Sequence, residues 1–206
     1  MQNFQHRITD KAELRSFMGE PSEFAQKKVI TRLDEHCRTL LSLSPFLVLS
    51  TSDSEGRCDA SPRGDHAGFV QVLDEKTLLI PERPGNKRVD SLSNILSNPH
   101  VGLLFLIPGM GETLRINGKA CIVKDEHLLE MMAVNNKLPL VAIAVEVEEI
   151  FIHCAKSIKR SGLWSGNFAA NLPSAAKMLT DHMKIPGVTA EQTEARLQDG
   201  YKNRLY

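Results

Sequence analysis

Aromatic side chains make up only 5% of this 206-residue chain, too few to build the stacking platforms that hold single-stranded nucleic acid. Net charge is missing as well, because 25 basic residues balance 25 acidic ones. A neutral total argues against a broad nucleic-acid footprint or a polybasic membrane anchor, but it leaves room for a local basic pocket. Long hydrophobic runs are absent. The stretches VGLLFLIP and LPLVAIAV have strand lengths and fall far short of the ~18–20 apolar residues of a spanning helix. The opening MQNFQHRITD is polar and has no secretory apolar core, so the cytoplasm is the expected compartment.

Cysteine is sparse and scattered. Cys37, Cys58, Cys121 and Cys154 form no C-x-x-C and match no histidine pair, which argues against zinc and for buried free thiols in a reducing compartment. No G-x-G-x-x-G and no G-x-x-x-x-G-K-[ST] occurs, so the two common nucleotide loops are excluded. There is no internal repeat and no low-complexity tract.

What the chain does contain is a hydrophobic content of 42%, enough to fill the core of one domain. Residues 9–41 read as helical. Asp10 and Glu13 have the form of a capping box, Gly19 suits a stop, and a second helix starts near Ser22. Its apolar stripe is Val29, Ile30, Leu33, Cys37, Leu40 and Leu41, at helical spacing. From Phe46 the period changes to two, with hairpins turning at Ser54–Gly56 and at Asp74–Lys76. A helix follows over 86–97, then HVGLLFLIPG and ETLRINGKACIVKD, a short helix capped by Asp125, and a long last strand in LPLVAIAVEVEEIFIHCA. Six to seven antiparallel strands with few helices between them favour a small barrel over a βαβ sheet. The polar tail beyond Trp164 carries two further helices, the last opened by a Thr189–Gln192 capping box.

Lys87 and Arg88 follow Pro84-Gly85 at the expected entrance of the 86–97 helix. Cations there oppose the helix dipole, at a cost of a few tenths of a kcal/mol, unless an anion sits at that end and gains from the N–H groups and both side chains. A phosphate is the natural anion, with Arg63 of SPRGD as a third donor. The plain alternative is a solvated surface on which Lys87 and Arg88 pair with Glu82 or Asp90.

The ordered segments SPRGD, IPERPGNKR, SNPHVGLLFLIPG, ETLRINGKA and FIHCAKSIKRSGLW resemble the pyridoxamine 5'-phosphate oxidase-like group of FMN-binding split barrels. Within it, the resemblance is to a branch of probable FMN-dependent enzymes, and it covers about residues 25–165. It implies a mainly β split barrel with peripheral helices. Residues 1–43 would be amino-terminal helices, 44–160 the FMN-binding core and 161–206 a helical tail of the same domain.

The resemblance also implies a site. Ser61, Pro62, Arg63 and Gly64 fall on the strand beside the flavin and its ribityl chain. Ile80 and Pro81 fall where backbone meets the ring, and Asn86, Lys87 and Arg88 match the phosphate loop. Thr113 stands where the family often has Gln, and Arg115 either reaches the ring edge or points outward. The family binds flavin between two subunits, which implies a homodimer with part of each site from the partner. His153 stands where an aromatic commonly covers the flavin, with Lys156, Lys159 and Arg160 just beyond; a core or interface histidine and solvated lysines are the alternatives. Trp164 either walls the cleft or anchors packing.

One departure matters. The oxidases proper end in an R-P-x-R-like segment, and this chain has CAKSIKRSGLW instead, which argues against oxidation of vitamin B6. The expected function is therefore an FMN-dependent oxidoreductase transferring two electrons to or from an unnamed small molecule. A flavin carrier or sensor without turnover is the second reading. A haem-binding split barrel with His66, His100 or His153 as axial ligand is the third.

Overall fold

The computed structural model describes residues 4–166 and 172–206. Residues 1–3 of the amino-terminal segment and 167–171 of the tail, both covered by the expectations above, lie outside it.

Seven strands form one antiparallel sheet: β1 (Phe46–Ser52), β2 (Cys58–Gly64), β3 (Gln71–Val72), β4 (Thr77–Pro81), β5 (His100–Leu106), β6 (Thr113–Val123) and β7 (Ala142–His153). Their spatial order is β2-β1-β5-β6-β7-β4-β3. The period-two pattern sends one residue of each pair inward. Leu47 and Leu49, then Leu103 and Phe105, then Leu114 and Ile116 all lie in the core. Each such side chain contributes on the order of 1.5–3 kcal/mol. The mainly β architecture with peripheral helices expected from the sequence is the one observed.

On β7 the inward set is Ile143, Val145 and Val147, and then Ile150. The change of parity comes from a bulge: Gly118 pairs with Val147 and Asn117 with Glu149, so Glu148 is the extra residue. A Cβ on Gly118 would lie 2.1 Å from the Glu146 carbonyl oxygen. The glycine of LRINGKA is thus required by the close approach of β7, whatever else that strand does.

Eight helices are described: α1 (Lys11–Met18), α2 (Glu23–Lys27), α3 (Glu35–Leu43), α4 (Asp90–Ser97), α5 (Glu126–Glu130), α6 (Lys156–Ser161), α7 (Ala175–Met183) and α8 (Ala190–Asn203). The single helix expected from Ser22 to Leu41 is broken after Lys27. Ile30 forms a bridge to Ile150 of β7, Leu33 donates its N–H to the Glu75 carbonyl, and Asp34 starts a new helix by accepting from Cys37 N–H. The apolar stripe was read correctly as a buried face, but a strand-like contact supplies its first half. The Thr189–Gln192 capping box is present in both directions, whereas Asp10 caps α1 in one direction only.

Three of the four cysteines correct the expectation of buried thiols: Cys58, Cys121 and Cys154 are exposed and only Cys37 is buried. Cys58 and Cys121 lie on strands at positions where the alternation points outward. All four are free. Among the described residues no helix is long and apolar enough to cross a membrane.

Candidate functional site

The stretch between β4 and α4 departs from expectation. Its helix begins at Asp90, not at 86, so Lys87 and Arg88 precede the helix. Lys87 and Val89 both adopt positive φ, 62° and 52°. For a β-branched Val that is a strained backbone, of the kind found where a loop must hold a set shape. No side chain caps α4 at Val89, so its first N–H groups remain open to an acceptor. Three hydrogen bonds seat the helix on the barrel: Ser91 Oγ to Asp59 at 2.7 Å, Asn94 Nδ2 to Thr51 at 3.0 Å and Asn98 Nδ2 to Ser52 at 2.9 Å.

β2, the 82–86 loop and the start of α4 enclose a cleft of about 380 Å³, lined by Ser61, Pro62, Arg63, Gly64, Pro81 and Asn86 among others. The structure thus brings six of the expected site residues together. The side chain of Ile80, next to Pro81 on β4, is wholly buried in the core. Lys87 opens instead onto an adjoining groove of about 670 Å³ with Val89, Leu138 and Leu140. Arg88 is exposed and its Nε lies 2.8 Å from Asp90, the plain pairing that the sequence left open. Asn86 Oδ1 accepts from the Arg88 N–H at 3.0 Å.

Two nearly buried arginines line the cleft. Arg63 is ion-paired with Glu82, and Arg83 donates from Nε to Asp65 at 2.6 Å. Their side chains are only 14% and 15% exposed. Arg63 Nε and Arg83 Nη2 are buried without a hydrogen-bond partner, a cost on the order of 1–3 kcal/mol for each. The carboxylates around the cleft already have donors: Glu82 has Arg63, Asp59 has Ser91, and Asp90 has Arg88. The buried side-chain nitrogens left without a partner here are Arg63 Nε and Arg83 Nη2, donors of the kind that an anion satisfies.

Asp65, Arg83 and Tyr206 were not singled out by sequence. Asp65 also accepts the Tyr206 hydroxyl at 2.7 Å and the His66 N–H at 2.8 Å. The Arg83 guanidinium lies 5.6 Å from the centre of the Tyr206 ring. Burial alone would push the Asp65 carboxyl up. Hydrogen bonds from Tyr206, His66 and Arg83 outweigh it and hold the group at about 2. The hydrogen bond to Asp65 pushes the Tyr206 hydroxyl up in turn.

Thr113, Arg115 and His153 lie elsewhere. They line a third cavity of about 390 Å³ with Gly102, Leu104 and Ser157. Strand register explains the separation. Arg63 pairs with Leu47, which pairs with Phe105 and so with Leu114, a core-facing row. Arg115 pairs with Leu104 and Phe151, in the outward row that includes Val48. The Arg115 guanidinium lies 4.9 Å from the Phe151 ring centre. His153 Nδ1 is buried without a partner.

Lys156, Lys159 and Arg160 stand on α6, exposed, and line none of these cavities. Trp164 lines none of them either: it is 40% exposed and its Nε1 donates to the Met110 carbonyl at 2.6 Å. His66 is exposed beside Asp65, and His100 is exposed at the start of β5.

Residues 33–154 match the pyridoxamine 5'-phosphate oxidase family. No curated protein matches the chain. Among solved structures, the chain is similar to HupZ of Group A Streptococcus, at 20% identity and a TM-score of 0.47, over 58% of this chain and 93% of that one. It is similar to a putative pyridoxamine 5'-phosphate oxidase of Lactobacillus delbrueckii, at 21% identity and 0.46, over 59% and 95% of the two chains. An FMN-binding protein of Syntrophomonas wolfei gives 12% identity and 0.44, over 56% and 82%.

Proposed function

We propose that this chain, which belongs to the pyridoxamine 5'-phosphate oxidase family, is a cytoplasmic FMN-binding oxidoreductase that works as a homodimer. The observation that carries the cofactor reading is the cleft at the start of α4. Its unsatisfied groups include the Arg63 Nε and the uncapped first N–H groups of the helix, and both are donors suited to a phosphate. Bound FMN supplies the two-electron chemistry.

The residues of this chain have narrower tasks. Arg63, held by Glu82, presents a guanidinium edge to the anion. Asn86 shapes the loop by holding the Arg88 N–H. Arg88 exchanges its exposed bond to Asp90 for one to the phosphate. Ser61 and Pro62 border the same cleft and are the contacts assigned to the ribityl chain. The opposite-face cavity of Thr113, Arg115 and His153 is the part contributed to the partner's cofactor, which accounts for site residues leaving the sheet from both faces. The apolar outward positions Phe46, Val48 and Leu104 form the centre of the subunit contact. Four free cysteines agree with a reducing compartment.

The purified protein should be yellow or turn yellow with FMN. Bleaching of the flavin absorbance by NADH or NADPH without oxygen supports a reductase. A flavin that stays oxidised with both supports the carrier reading. A Soret band in purified protein, with no response to FMN, supports haem and rejects FMN.

A further inference from the structure

We propose that Arg83, aimed by Asp65 and steadied by Tyr206, is a second guanidinium ligand of the bound anion and sets the preference for a phosphorylated flavin. The inference rests on the FMN reading above. It concerns a residue outside the GNKR loop and identifies what keeps that residue in place.

Arg83 lines the 380 Å³ cleft together with Arg63. The two side chains are alike in three respects. Each is nearly buried, each is tied on one side by a carboxylate, and each keeps one buried N–H donor unmatched. Arg83 also borders the adjoining 670 Å³ groove with Tyr206, so it stands at the wall between the two cavities, and a bound anion would have to draw its unmatched donor toward Arg63 to be held by both guanidiniums. Asp65 is the reason that Arg83 cannot turn away. Its side chain is 1% exposed, and it holds Arg83 Nε at 2.6 Å while accepting the Tyr206 hydroxyl at 2.7 Å. The Tyr206 ring covers the guanidinium on another side. Lys137 Nζ in turn holds the Tyr206 carbonyl at 2.9 Å. Arg88, by contrast, is 72% exposed and held only by Asp90, so a shorter-lived contact is expected there. Asp65 touches Arg83 and not the cleft, which makes it a positioning residue.

The test compares FMN with riboflavin, which has the same ring and ribityl chain and no phosphate. Affinities of wild type, Arg83→Gln, Arg83→Lys, Asp65→Asn and Tyr206→Phe are measured by flavin fluorescence, with the thermal midpoint of each flavin-free protein taken alongside. Arg83→Gln should weaken FMN at least tenfold and leave riboflavin within twofold. Arg83→Lys should also lose most of the preference, because a compact ammonium lacks the planar fork that spans from Asp65 to an anion on its other edge; it decides the matter if the Gln variant does not fold. Asp65→Asn and Tyr206→Phe should give smaller losses of the same preference. Folded Arg83 variants that keep the wild-type ratio of FMN to riboflavin affinity overturn the role of Arg83 alone. A wild type that binds both flavins equally overturns the phosphate reading beneath it.

Discussion

Arg63 and Arg115 belong to the same sheet, yet their side chains leave it from opposite faces: Arg63 lies in the core-facing row of Leu47, Phe105 and Leu114, and Arg115 in the outward row of Leu104 and Val48. One copy of the chain cannot close both around one ligand. The proposed function therefore requires a composite site, with Arg63 from one subunit and His153 from the other.

A subunit-mixing experiment tests the composite site. Arg63→Ala and His153→Ala should each bind FMN poorly as homodimers. In a mixed dimer one site carries both substitutions and the other carries neither. Random exchange of equal amounts should then restore about a quarter of all sites to wild-type affinity, since half the dimers are mixed. No recovery after proven exchange would show that Arg63 and His153 do not complete one site from opposite subunits.

Gly118 tests the fold that positions both faces. An added Cβ would meet the Glu146 carbonyl oxygen at 2.1 Å, with backbone on both sides of the contact. Gly118→Ala should cost about 3 kcal/mol or more, at the upper end of overpacking, read as a fall in the urea midpoint at constant slope. A change within ~0.5 kcal/mol would mean that the bulge is not held as described.

Much of this arrangement was legible in the sequence because it is local. The strands follow from alternation, and the Thr189–Gln192 cap from its spacing. SPRGD and the PGNKR loop were assigned to one site by resemblance, and the structure brings Ser61, Arg63, Pro81 and Asn86 to one cleft. The failures have physical causes. The helix after Ser22 was overextended because a buried stripe cannot tell helical burial from the bridge between Ile30 and Ile150. Glu82 and Asp90 were both open as partners for Lys87 and Arg88; the chain pairs Asp90 with Arg88 and folds Glu82 onto Arg63. The Asp65–Tyr206 contact spans 141 positions, a separation that no local pattern records. Arg83 sits beside the recognised loop, and its value became visible only through its unmatched donor.

Acid should expose the Asp65 contacts. Its carboxyl is held at about 2 against an ordinary 3.8, so the charged form is favoured by folding. The resulting stability, on the order of 2 kcal/mol, is whole above the unfolded value and drains as pH falls from about 3.8 toward about 2. Urea midpoints should therefore separate wild type from Asp65→Asn at pH 6, with the gap narrowing toward pH 2. A gap of constant size across that range would remove Asp65 as an anchor of Arg83.

Asp90 makes a prediction of opposite sign. It occupies Arg88 at 2.8 Å and brings negative charge close to the proposed phosphate. Asp90→Asn should tighten FMN by about 0.5–1 kcal/mol, the scale of an exposed charge pair, while Lys124→Ala, at an exposed position just past the end of β6, changes nothing. Weaker FMN binding in Asp90→Asn would show that this carboxylate supports the site and does not compete in it.

The most direct measurement is a titration of wild type and Arg63→Gln with FMN and with riboflavin at equal ionic strength. The account predicts that wild type prefers FMN and that Arg63→Gln loses about 1.5–3 kcal/mol of FMN affinity with riboflavin unchanged. Equal losses for both flavins, or no loss for either, would contradict a phosphate held by Arg63 at the start of α4.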